Sequence, residues 1–104
     1  MLDEVKLMWT NFIAWRHKEG INEIMTTWDF AERDPVAAIY PQYYHKTDKQ
    51  GRPLYIERLG TLDVPKLFTI TTQERMQRQF AFAFEELFNW RYPACSAVVG
   101  RRIE

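Results

Sequence analysis

The sequence predicts a mixed helix-and-strand domain built around one hairpin, and three observations predict it. Apolar residues recur at helical spacing near the N-terminus, the run Tyr40–Gly60 carries hairpin turn chemistry, and a capping signal at Thr71-Thr72-Gln73-Glu74 opens a second long helix. In the first helix Leu2, Val5, Met8, Trp9, Phe12, Ile13 and Trp15 mark one broad apolar face over residues 2 to 18, and Gly20 is placed to end it as a C-terminal cap. Asp34-Pro35 reads as an N-cap followed by proline at the first helical position, opening a short helix through Ile39 that Pro41 terminates.

The hairpin follows at once. Asp48-Lys49-Gln50-Gly51 supplies Asp to open a turn and Gly to take positive φ, and Pro53 fixes the start of the second extended run. With an unbulged four-residue loop, Thr47 faces Arg52, and counting outward puts Tyr44 opposite Tyr55 on one face of the ribbon. In the last helix the Thr71 hydroxyl is expected to reach the Glu74 amide. Met76, Phe80, Ala83, Phe84 and Leu87 then mark an apolar stripe, widened by Phe82, Phe88 and Trp90, until Pro93 disturbs the helix. No internal repeat, low-complexity tract or long linker divides the chain.

Composition bounds the function. The 104 residues are 46% hydrophobic and 27% charged, which is one globular domain or a piece of one. Lys+Arg and Asp+Glu are 14 each, so no basic field argues for nucleic acid. Cys95 is the only cysteine, which rules out an internal disulfide and a cysteine zinc cluster and fits a reducing cytosolic compartment; it reads as a small buried residue. The N-terminus alternates charge with apolar residues, unlike a signal peptide or a membrane span. His17 and His45 have no Ser or Cys spaced to form a nucleophile constellation and no metal-ligand spacing, and Gly51 and Gly60 form no phosphate-cradling loop. Nothing argues for an enzyme, a metal or a cofactor. Asp29, Glu32 and Asp34 read as a solvated acidic cluster, and Arg75, Arg78, Arg91, Arg101 and Arg102 as scattered solvated cations.

The Tyr44–Tyr55 pair is the one feature with binding chemistry. Aromatic rings sharing an exposed face attract a quaternary ammonium group, which cannot donate hydrogen bonds and is held by the ring quadrupole. The same spacing also suits a tyrosine pair that fills a core.

The run "YPQYYHKTDKQGRPLYIERLG" (40–60), followed by "TTQERM" (71–76) and "RYPACS" (91–96), resembles the CRAL-TRIO lipid-binding domain, and within it the Sec-fourteen-like phosphatidylinositol/phosphatidylcholine transfer proteins. "FIAWRHKEGINEI" (12–24) is similar to the segment before that hairpin, so the likeness covers nearly the whole chain. The resemblance implies an α/β fold in which a mixed sheet floors an apolar pocket, a phospholipid is enclosed, and a mobile helix gates the opening. It implies that Tyr44 and Tyr55 line the choline headgroup and that a third ring of the cage falls on Phe84, where relatives carry tyrosine. Arg101-Arg102 departs from the family by its charge.

The resemblance also implies an incomplete sheet and a fragment. Residues 1–33 are expected to close a preceding helical region and 34–104 to begin the lipid-binding domain, with later strands, gate and phosphate-holding hydroxyls downstream. Phospholipid binding and transfer from the cytosol is the function so implied, with transient contact at Golgi or other endomembrane surfaces and no nucleic acid. The alternatives are a CRAL-TRIO module for another hydrophobic ligand, tocopherol-like or retinoid-like, and an inactive interaction remnant.

Overall fold

The computed structural model describes all 104 residues as helices around one two-stranded antiparallel sheet. Helix α1 spans Leu2–Glu19 and ends as expected: Gly20 takes φ 65°, and its N–H donates to the Arg16 and His17 carbonyls. A 3-10 turn, Ile21–Glu23, and a single helical turn α2, Ile24–Thr27, follow; neither was legible from periodicity because each is shorter than two turns. Ile24 is the most deeply buried side chain of the protein.

Helix α3 is Arg33–Ile39, and its N-cap is Glu32. Asp34 therefore lies inside the first turn and caps nothing, because the chain turns helical one residue before the proposed cap. The helix ends before Pro41, as proline's restriction on its neighbour dictates. Strands β1, Gln42–Thr47, and β2, Pro53–Glu57, form the hairpin.

Tyr44 pairs with Tyr55, but the register that produces this pair is not the unbulged one. Thr47 faces Pro53 and not Arg52, so the loop holds one more residue than counted. A bulge between Tyr44 and Thr47, with Lys46 at φ 60°, takes the extra residue back. Asp48 organises the turn, its carboxylate accepting from the amides of Gln50 at 2.8 Å and Arg52 at 2.9 Å.

A 3-10 turn, Leu59–Thr61, leads into α4, Val64–Ile70, whose N-cap Asp63 accepts from the Lys66 amide at 3.2 Å. Helix α5, Gln73–Glu86, is capped one residue later than expected: Thr72 accepts from the Arg75 amide at 3.1 Å. Thr71 instead donates to Glu32 at 2.9 Å, a better use of a buried hydroxyl than a second cap. Pro93 disturbs the helix without ending it. A wider π turn, Leu87–Arg91, precedes it, and the helix resumes as α6, Tyr92–Val99, with Gly100 as a left-handed cap. Proline removes one intrahelical donor and crowds the carbonyl four residues back, which a π turn accommodates.

The core is small. Phe30, Val36, Leu67 and Met76 form its centre, with Trp28, Ile39, Tyr40, Leu62 and Ile70 against it. Around it a polar strap ties α5 to the segment before α3. Arg75 grips the Glu32 carboxylate through Nε at 2.6 Å and Nη2 at 2.7 Å, and donates to the Asp29 carbonyl at 3.0 Å. The Trp28 ring lies beneath Arg75 at 4.7 Å and donates its N–H to Gln79 at 2.8 Å.

The acidic cluster and the arginines are thus not simply solvated. Glu32 belongs to the strap, Arg78 donates to the Glu19 carbonyl at 2.9 Å, and Arg101 donates to the Gln50 carbonyl at 2.9 Å. That last bond docks the hairpin turn on the end of α6, where Ile103 is buried and Gly51, at φ 88°, lies against Val99. Cys95 is half-buried and not enclosed as expected. Helix α1 buries none of its apolar residues; Trp9 is 61% exposed and Trp15 46%. Arg16 ties it to α5 through Glu85 at 2.7 Å and to the following 3-10 turn through Asn22 at 2.8 Å.

Candidate functional site

The hairpin and α5 face one another across an open cleft of about 380 Å³ lined by Tyr44, Tyr55, Phe80, Ala83 and Phe84. Alternation along β1 and β2 puts Gln42, Tyr44, Tyr55 and Glu57 on one side of the ribbon. The i, i+3, i+4 spacing of Phe80, Ala83 and Phe84 puts those three on the facing stripe of α5. The rings of Tyr44 and Tyr55 sit 5.4 Å apart at 55°, within the range of interacting aromatic pairs. Phe84 remains 58% exposed, so its ring is free to meet a ligand. All three sequence-predicted site residues therefore border the same cleft.

The polar surroundings give the cleft a direction. Glu57 accepts from Tyr40 at 2.7 Å, from Gln42 at 2.6 Å and from Tyr55 at 3.2 Å. These donors hold its carboxyl below the usual range, the Tyr40 bond first. Desolvation, followed by the coulombic effect of Glu57, pushes the Tyr55 phenol up to about 12. Tyr55 therefore stays neutral throughout the physiological range, and its hydroxyl donates to the Glu57 carboxylate. At the other end, the guanidinium carbon of Arg91 stands 4.3 Å over the Tyr44 ring. Burial raises the Tyr44 phenol, with Arg91 opposing.

A second apolar cleft, about 490 Å³, lies between α1 and α5; Phe12, Trp15, Phe84 and Phe88 are among its lining residues, and Phe84 is common to both clefts. No three His, Cys, Asp or Glu side chains are grouped to hold a metal ion, and no helix is long and apolar enough to cross a membrane.

Sequence reasoning missed Phe80 and Ala83 as cleft walls, although their spacing from Phe84 signalled a common face. It also missed Glu57, two residues beyond Tyr55 and so on the same side of the strand. Arg91 had no such signal, because the π turn that ends on it shifts the helical phase. Chemically, exposed ring faces with a carboxylate at one end suit a cation that donates no hydrogen bonds.

The site is thus an exposed aromatic cleft between a hairpin and an amphipathic helix. No family model matches the chain. Its curated relatives are nonetheless similar along nearly all of it. It is 47% identical over 97 residues to the SEC14 cytosolic factor of Yarrowia lipolytica, covering 93% of this chain and 20% of that protein. It is 46% identical over 103 residues to the phosphatidylinositol/phosphatidylcholine transfer protein SFH4 of Arabidopsis thaliana, covering 99% of this chain and 17% of that one. To the SEC14 cytosolic factor of Candida glabrata it is 46% identical over 99 residues, covering 95% of this chain and 33% of the relative. The chain belongs to the Sec14-like family and corresponds to part of a CRAL-TRIO domain. It spans a fifth, a sixth and a third of the lengths of these three relatives.

Proposed function

We propose that this segment contributes the headgroup side of a phospholipid site, in a protein that exchanges phosphatidylinositol and phosphatidylcholine between membranes. The observation that carries the reading is the convergence of Tyr44, Tyr55 and Phe84 on one open cleft, with the tyrosine rings 5.4 Å apart. The choline of phosphatidylcholine is a quaternary ammonium ion, held by ring faces without any donor of its own. The similarity to the Arabidopsis phosphatidylinositol/phosphatidylcholine transfer protein supports the same ligand class.

Exchange of this kind involves transient contact with a lipid surface from the cytosolic side, at Golgi or other endomembranes, and involves neither nucleic acid nor covalent chemistry. Residues 1–33 are assigned to the end of a preceding helical region and 34–104 to the start of the lipid-binding domain. Core packing runs across that boundary, since Phe30 packs with Val36 and Met76.

The test grafts this segment in place of the matching one in the Candida glabrata relative and measures transfer between vesicles. Tyr44→Ala with Tyr55→Ala should abolish phosphatidylcholine transfer and spare phosphatidylinositol transfer. Equal loss of both lipids would contradict a headgroup role.

A further inference from the structure

We propose that the hairpin tip, together with the end of α6, is the surface by which this chain meets an anionic membrane, with negatively charged phospholipid headgroups as its partner. This rests on the reading of a protein that works at lipid surfaces and names the part of the chain that makes the contact. The formal net charge is +0, yet the charge is not evenly spread. Residues 45–52 and 98–104 hold Lys46, Lys49, Arg52, Arg101 and Arg102 against Asp48 and Glu104, a net of +3; the rest of the chain has nine Lys and Arg against twelve Asp and Glu, a net of −3.

Folding brings the two positive stretches together. Arg101 donates to the Gln50 carbonyl at 2.9 Å and Gly51 lies against Val99, so the Arg101-Arg102 pair stands beside the cations of the turn. All five cations are exposed. The acids among them are already engaged, since Asp48 accepts from the Gln50 and Arg52 amides and Glu104 pairs with Arg102 at 2.9 Å. Neither Lys46 nor Lys49 has a carboxylate in ion-pair range. Lys46 is also the one non-glycine residue at positive φ, and backbone strain of this kind collects at functional sites.

Two features favour a bilayer over nucleic acid. Val98, on the last turn of α6, is 88% exposed, and an aliphatic side chain beside cations suits a charged headgroup layer with an apolar interior beneath it. Neither stretch contains Phe, Tyr or Trp, the side chains on which unpaired bases stack. The negative remainder of the chain is repelled by the same lipid surface, so the field turns the tip toward it.

The test is cosedimentation of the 104-residue chain with vesicles of phosphatidylcholine alone and of phosphatidylcholine with about 30% phosphatidylserine. Binding should be stronger on the anionic vesicles, and rising salt should erase the gain. Lys49→Gln with Arg102→Gln should weaken binding to anionic vesicles by roughly five- to thirtyfold and leave binding to neutral ones as it was. Lys6→Gln with Lys66→Gln, exposed cations outside the tip, should leave both unchanged. Equal losses from the two pairs of substitutions, or a gain that high salt leaves intact, would overturn the role of the tip. Equal affinity for a single-stranded oligonucleotide at matched phosphate concentration would overturn the lipid partner. Equal binding of the wild type to both vesicles would overturn the proposal and leave the headgroup reading standing, because Tyr44 and Tyr55 decide that reading in the transfer assay.

Discussion

Replacing Glu32 by Gln should destabilise the protein at neutral pH and make no difference in strong acid. Glu32 is held from its ordinary value of 4.5 down to about 2, first by the Arg75 hydrogen bonds and, against the opposing desolvation, also by a backbone bond and the Thr71 hydroxyl. A carboxylate so depressed contributes stability that is fully present above its unfolded value and lost as pH falls through the folded one. The displacement sets a ceiling of about 3 kcal/mol. Arg75 is 38% exposed, so water screens part of the pair, and the expected contribution is about 1–2 kcal/mol. A domain with only nine buried residues stands near the low end of globular stability, so this is a large fraction of the total. The assay is urea unfolding followed by circular dichroism from pH 7 to pH 2 for wild type and Glu32→Gln. Their difference should be constant above about pH 5 and shrink toward zero near pH 2, the window between the two carboxyl values. Glu57, Glu85 and Asp48 are also depressed, but they are common to both proteins and cancel in the difference. A difference that persists undiminished at pH 2 would refute the electrostatic account and leave packing as its cause.

Gly51→Ala should cost about 1–3 kcal/mol, because the residue sits at φ 88° and the added methyl would strike Val99; urea midpoints check it, and an unchanged midpoint would show that the turn does not dock on α6. In a complete domain carrying this segment, Phe84→Tyr should strengthen phosphatidylcholine binding by about 0.5–1 kcal/mol, one added hydrogen bond, and leave phosphatidylinositol almost unaffected. Equal gains for both lipids would make Phe84 part of the general apolar wall. The isolated 104-residue chain should transfer neither lipid between vesicles above the spontaneous rate, since its clefts are open and α1 leaves its apolar face in water. Saturable transfer by the isolated chain would contradict this.

Much of the fold was legible because its signals are local. Gly20 ended α1 where a left-handed residue was needed, and Asp48 and Gly51 made the turn that places Tyr44 opposite Tyr55. The pair forms although the loop is one residue longer than the turn chemistry predicts, since the bulge between Tyr44 and Thr47 cancels the extra residue. What stayed hidden depended on tertiary choice. Two adjacent threonines could each cap α5, and only the position of Glu32 decides that Thr71 is drawn away and Thr72 caps. Arg91 and Glu57 gained their meaning from rings brought beside them by folding, which spacing along the chain does not encode.

The central claim, that Tyr44, Tyr55 and Phe84 receive a choline headgroup, is tested most directly by intermolecular NOE contacts to the N-methyl protons of glycerophosphocholine. Contacts to ring protons of all three residues, saturable with ligand and absent in Tyr44→Ala, are what the account predicts. Contacts confined to Phe12, Trp15 or Phe88 in the α1–α5 cleft, with none to the two tyrosines, would contradict it.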